Sequence, residues 1–374
     1  MLENSIYAIK QEFCMVTKIP RIVILPGDGI GVEVMECALC VIDAVYRITK
    51  VELDLVHMQA GAGTYLKTGD ALPDDVIETI KKSDAVLLGA MGLPDVRYPD
   101  GTEIIPQIDL RMILSLYAGV RPIRLLPGAF TPLKDVRARE LDFVIVREST
   151  EGLFARMHEG KIEDNKIAED RLIITRKTSE RLFDYSFKLA RHRKSLGHLG
   201  KVTCVDKANV FKSMAFFRNI FEERAKAFPD ILTDKQYVDA AALNFVKNPW
   251  DFDVVVTENM FGDILSDLGA GLVGGMGMAP SADIGDTTAV FQPSHGTAPD
   301  IMGTGKSNPT GMILSVVLLL KWLTSKGWSN DYFKAASLLD EAVCIAYADG
   351  KLVPYEAGGN AGTKEILDRI LGNL

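Results

Sequence analysis

Short apolar runs rich in β-branched residues alternate along the chain with longer stretches patterned at the helical period. Residues 21–25 (RIVIL) form the first run and stop at Pro26 and Gly27, and residues 84–89, 142–147, 201–205 and 252–257 repeat the theme. Residues 51–57 read as a further strand. Continuous apolar runs of this kind suit strands covered on both faces. Helical patterns follow at 32–46, 75–82, 178–193, 211–228, 262–270, 310–326 and 332–348. The alternation predicts an α/β fold. Residues 156–171 are polar and charged, so they are expected to leave the core as an exposed excursion.

A chain of 374 residues exceeds what one core usually absorbs, so two domains are expected. Its 47% hydrophobic and 25% charged residues are an ordinary globular balance. A net charge of -8 argues against nucleic acid as a partner, yet local arginines can still receive a small anion. Five widely spaced cysteines make no disulfide framework, which fits a reducing cytoplasm. Cys37 and Cys40 form a CxxC without a second pair and read as buried helix positions. No membrane partner is expected, because the longest apolar run, residues 312–320, is too short to span and contains Ser315.

Residues 25–31 (LPGDGIG) follow a strand and open a helix, as a dinucleotide fingerprint does. That fingerprint would place glycine at Val32, one position later than Gly31. A tight strand-to-helix turn is the better reading. A sharper signal is Asp263 and Asp267, four apart and so on one helix face. Like charges at that spacing repel unless a cation sits between them, and hard divalent cations favour carboxylate oxygens. Asp239, at another element boundary, is a third candidate ligand. Arg111, Arg121 and Arg147 offer bidentate forks for carboxylates. With Lys207 they describe a site for a small dicarboxylate or tricarboxylate held on a metal.

These residues sit in motifs whose order and spacing resemble the isocitrate/isopropylmalate dehydrogenase family: LPGDGIG at 25–31, VRP at 120–122, VRE at 146–148, VDKAN at 205–209, YVD at 237–239, FGDILSD at 261–267 and HGTAPDI at 295–301. The resemblance implies a two-domain isopropylmalate dehydrogenase-like fold with a large mixed sheet, not a Rossmann fold. Residues 1–116 and 275–374 would form a discontinuous NAD-binding domain. Residues 117–274 would form a dimerisation and metal/substrate domain, with an arm at about 152–172 that embraces the second subunit of a homodimer. It also implies decarboxylating oxidation of a (2R)-malate-type 2-hydroxy diacid such as 3-isopropylmalate, tartrate or D-malate. Arg111, Arg121, Arg147 and Asn209 would bind substrate. Asp263 and Asp267, with Asp239 of the partner subunit, would bind Mg²⁺ or Mn²⁺. Lys207 and Asp239 would serve catalysis from across the dimer.

By the same resemblance, His295, Gly296, Ala298, Pro299, Asp300, Ile301 and Asn308 would bind the cofactor's adenosine. Asp300 suits a free ribose 2′-hydroxyl and would repel a 2′-phosphate, which points to NAD. Two departures stand out. Phe154 occupies the place of a tyrosine that usually assists protonation. The substrate-sorting segment at 104–110 (IIPQIDL) carries Gln107, suited to a polar C3 substituent, beside Ile108, suited to an alkyl one. A catalytically weak regulatory or ligand-binding subunit is the alternative, favoured only by Phe154. Residues 15–21 (MVTKIPR) resemble a usual start for the family, so residues 1–14 are expected to be peripheral or disordered.

Overall fold

The computed structural model describes residues 18–374. The expectations for residues 1–14 and for a start at Met15 fall outside the described residues. The strands are β1 (Arg21–Gly27), β2 (Asp54–His57), β3 (Ala85–Ala90), β4 (Ala118–Arg124), β5 (Asp142–Glu148), β6 (Lys161–Glu163), β7 (Ile167–Glu169), β8 (Lys201–Asp206), β9 (Leu232–Tyr237), β10 (Val254–Thr257), β11 (Pro280–Ile284) and β12 (Ala289–Pro293). Ten of them form one sheet in the order β2-β1-β3-β12-β11-β4-β5-β10-β8-β9. Its two flanks are parallel, while β12, β11, β4 and β5 run antiparallel in turn at the centre. The sheet is therefore mixed, as expected, and continuous from end to end.

Every apolar run read as a strand is one, but four strands of the sheet escaped that reading. β4 carries Arg121, Pro122 and Arg124, and β11 and β12 carry Asp283 and Gln292, so their polar residues broke the pattern. They are nonetheless buried along almost their whole length, β11 and β12 under the apolar helix Thr310–Ser325 and β4 against the helix Asn259–Leu272. β9 is an edge strand with exposed polar residues, which conceals it for the opposite reason.

The glycine-rich turn after β1 is a structural lock. A side chain at Gly27 would lie 1.9 Å from the Ala90 carbonyl oxygen, and its φ of 75° suits glycine. The Asp28 carboxylate accepts hydrogen bonds from the backbone N–H groups of Ala62 (2.7 Å), Gly63 (2.8 Å) and Gly92 (2.9 Å). The turn thus directs its carboxylate to the start of the helix Ala62–Thr68, which ties the first strand to that helix.

β6 and β7 pair only with each other and form the exposed excursion anticipated at 156–171. Their turn places Asp164 and Asn165 at φ 48° and 57°, the primed geometry that tight hairpins favour. Gly152 and Ile173 exchange backbone hydrogen bonds of 2.8 and 3.0 Å at its base. One expectation fails in the helix Ile30–Thr49. Cys37 is buried, and burial pushes its thiol up to about 12, but Cys40 is exposed because the helix turns it off the buried stripe. Among the described residues no helix is long and apolar enough to cross a membrane.

Candidate functional site

The central strands bring three arginines to one cavity of about 610 Å³. Arg121 lies on β4, Arg147 near the end of β5, and Arg111 on the short helix Pro106–Ile113. Behind them, on β11, stands Asp283. Its carboxylate accepts from Arg111 Nε (3.1 Å), Arg121 Nη2 (3.3 Å) and Gln292 Nε2 (2.9 Å), with Ser149 Oγ at 3.5 Å. Gly119 is opposite Asp283 in the β4–β11 register, and a side chain there would press on both Ser149 and Asp283. Burial alone would raise the Asp283 pKa, but the guanidinium groups of Arg111, Arg121 and Arg147 hold it below the usual carboxylate value. Burial, aided by its arginine neighbours, brings Arg147 down to about 10.

The helix Asn259–Leu272 supplies the acidic wall. Its N-terminus is capped by Glu258, which accepts from the N–H groups of Phe261 (2.7 Å) and Met260 (3.2 Å). That cap leaves Asp263 and Asp267 free to project one turn apart into the arginine cavity. Arg147 reaches Asp263 through Nη1 and is steadied by Asn259 Oδ1, 3.0 Å from its Nε. Asp267 has no ion-pair partner among the described residues. Its carboxyl is pushed up, first by burial and then by the charge of Asp263. Two oxygen-donor side chains that repel each other at a cavity edge fit a hard divalent cation.

The remaining basic and acidic candidates gather elsewhere. Lys207 follows β8 and Asp239 opens the helix Val238–Lys247, and their Nζ and Oδ1 atoms are 2.6 Å apart. Neither they nor Asn209 line the arginine cavity of their own chain. Among the described residues no three His, Cys, Asp or Glu side chains converge on one point. Within one chain, Asp263 and Asp267 are together and Asp239 is apart.

A second, more apolar cavity of about 740 Å³ adjoins the first, and His295 lines both. Ala298, Ile301 and Asn308 also line it, and Gly296 lines the arginine cavity, whereas Pro299 and Asp300 sit on the exposed rim of the loop. His295 Nδ1 lies 2.8 Å from the Gly296 carbonyl, and burial lowers the ring's pKa. The neutral ring therefore donates from Nδ1, which leaves Nε2 as a buried acceptor without a partner. Such an atom between two cavities fits a ligand that supplies hydroxyl or amino groups, as the ribose and nicotinamide ends of NAD do. Asn308 donates to Glu356 (2.7 Å), and Glu33 accepts from Ser307 (2.9 Å), so the loop is tied to the body on both sides. Sequence reasoning missed Asp283, Gln292, Asn259 and Glu356. A buried Asp or Gln interrupting an apolar run was the signal for the first two.

Residues 21–370 match the family model described as isocitrate/isopropylmalate dehydrogenase. The chain belongs to the isocitrate/isopropylmalate dehydrogenase family. It is an oxidoreductase of that family, and its mixed sheet is the fold of its relatives. A family member from Methanocaldococcus jannaschii, the 3-isopropylmalate/3-methylmalate dehydrogenase, is 41% identical over 351 residues, covering 94% of this chain and 97% of the relative. The homoisocitrate dehydrogenase of the same organism is 38% identical over 362 residues, 95% of this chain and 97% of that one. Among solved structures of the isocitrate/isopropylmalate dehydrogenase family, the isocitrate dehydrogenase of Methylococcus capsulatus superimposes with a TM-score of 0.82 at 35% identity, covering 95% and 99% of the two chains.

Proposed function

We propose that the protein carries out NAD- and Mg²⁺- or Mn²⁺-dependent oxidation, with decarboxylation, of a (2R)-malate-type 2-hydroxy diacid. 3-Isopropylmalate, tartrate and D-malate are representatives of that class. The observation that carries the reading is one cavity in which three guanidinium groups face two helix carboxylates, joined through His295 to an apolar cavity. In this reading Arg111, Arg121 and Arg147 clamp the substrate carboxylates, and Asp263 and Asp267 hold the cation. NAD and the cation, when bound, supply the hydride acceptor and the polarisation of the substrate oxygen. The chain's own part is to orient C2, keep water out and move protons. Lys207 of the partner subunit takes the hydroxyl proton as hydride leaves C2. Loss of CO₂ then leaves an enolate, which takes a proton at C3.

The shared site asks for a homodimer. In support, Ile264 beside Asp263 is 62% exposed, and Leu243 on the Asp239 helix is 58% exposed, as apolar residues meant for a partner would be. The arm adds Ile162, 76% exposed. We assign residues 1–116 and 275–374 to one domain and 117–274 to another, meeting at the central strands, and place the enzyme in the cytoplasm. Gln107 lines the substrate cavity, and its buried Oε1 has no hydrogen-bond partner among the described residues. A hydroxyl on C3 would satisfy it, which favours a polar C3 substituent. The test is a panel of 2-hydroxy diacids assayed with NAD and Mn²⁺ by NADH absorbance. NADH from at least one is expected, and none from any of them would overturn the reading.

A further inference from the structure

We propose that Asp283 is a positioning residue that sets both the aim of the substrate arginines and the charge of anion the cavity accepts, favouring a dianion over a trianion. The proposal rests on the reading of this cavity as the substrate site. Asp283 is 1% exposed and does not itself line the cavity, whereas the arginines it holds do. Arg111 spends only its Nε on a protein partner, so both of its terminal nitrogens remain available as a fork for a ligand carboxylate. Arg121 is held by Nη2 to the same carboxylate and by Nη1 to the carbonyls of Val120 (3.3 Å) and Ala282 (3.5 Å). One buried carboxylate therefore registers two arginines to each other. Gln292 and Ser149 satisfy its remaining lone pairs, as a buried charge requires.

The charge of Asp283 acts separately from the aim it sets. The cavity wall carries three guanidinium groups, and Asp263, Asp267 and Asp283 balance them. A divalent cation with a doubly charged substrate keeps that balance, whereas a third substrate carboxylate would leave a buried negative charge uncompensated. Removing the Asp283 charge supplies the missing positive excess and should favour a trianion selectively.

The test is calorimetric binding of D-malate and of propane-1,2,3-tricarboxylate to the full-length chain at pH 8 with Mg²⁺ and no NAD. Wild type should bind D-malate more tightly by at least about tenfold. Asp283→Asn, which keeps shape and removes charge, should shift the ratio toward the tricarboxylate by about tenfold. Asp283→Glu, which keeps charge and displaces the arginines, should weaken both ligands and keep the wild-type ratio. If the asparagine variant does not fold, Asp283→Ser, with room for a water, reads the same ratio. A ratio within twofold of wild type in the folded neutral variant, or the same shift in Asp283→Glu, would overturn the proposal. Wild type that binds neither anion would instead overturn the reading of the cavity itself.

Discussion

Lys207 and Asp239 form an ion pair, with Nζ 2.6 Å from Oδ1, yet neither faces the arginine cavity of its own chain. In the proposed reading the pair serves a cavity in a second copy. Dilution to monomer should therefore abolish activity. Mixing inactive Lys207→Ala with inactive Asp263→Asn protein should restore up to about a quarter of wild-type activity, because only sites drawing an intact half from each variant recover. Mixed dimers that stay inactive would show that the lysine and the aspartate act within one chain.

Asp263→Asn removes a charge with little change of shape. Turnover with Mg²⁺ or Mn²⁺ should fall at least a hundredfold, about 2.7 kcal/mol, while the melting temperature changes little, since Asp263 is half exposed. Chelator should silence the wild type in the same assay. Full activity after chelation or in the variant would remove the metal from the reaction.

Cofactor choice can be read from the loop at the second cavity. NAD should be preferred over NADP by at least tenfold in kcat/KM, about 1.4 kcal/mol, and Asp300→Lys with Ile301→Tyr should narrow or reverse that. Lys306 lines the same cavity and lies over the Tyr355 ring, 5.4 Å from its centre, so it works the other way. Lys306→Ala should widen the gap. A wild type that prefers NADP would show that Asp300 does not govern the choice.

Phe154 stacks over Arg147, with the guanidinium 5.4 Å from the ring centre, so the ring is at the site without a hydroxyl to relay a proton. Positioned acid catalysis is worth about 10²–10⁴ in rate. Phe154→Tyr should speed protonation at C3 without changing NAD affinity. Solvent-isotope incorporation at C3, measured with steady-state rates, checks this. No gain in either would mean that another group or water already does the work.

Glu148, beside Arg147, is buried, and burial pushes its pKa up from 4.5 to about 7 against the bonds it accepts from Thr150 and Glu151. The folded state thus holds this proton more tightly than the unfolded chain does. Its contribution to stability is whole below about pH 4.5 and is lost as pH rises through about 7. Relative to Glu148→Gln, the wild type should lose on the order of 3 kcal/mol across that window. Urea unfolding of both proteins from pH 5 to 8 measures it, and a flat difference would contradict the assignment.

The motifs singled out the arginines, the aspartate pair and the loop at 295–301 because each lies in a short stretch with its own chemistry. The outer strands β1, β3, β5, β8 and β10 were legible because both of their faces are apolar. The centre was not. β4, β11 and β12 are buried against one another and against the site, so they carry Arg121, Asp283 and Gln292 where a core strand would carry valine. Burial there is satisfied by hydrogen bonds across 160 residues and more of sequence, which no local pattern encodes. The role of Asp283 was hard to read for that reason, since the arginines it holds are distant in the chain.

The strand order has a consequence for synthesis. β3 ends at Ala90 and β4 begins at Ala118, yet β12 and β11 from residues 280–293 lie between them in the finished sheet. A growing chain that has not yet reached Pro280 carries two open strand edges, side by side in sequence and unable to close on each other. Both are buried in the complete protein. Until the last quarter of the chain emerges, those edges are the places where two nascent copies would pair with each other instead of with themselves.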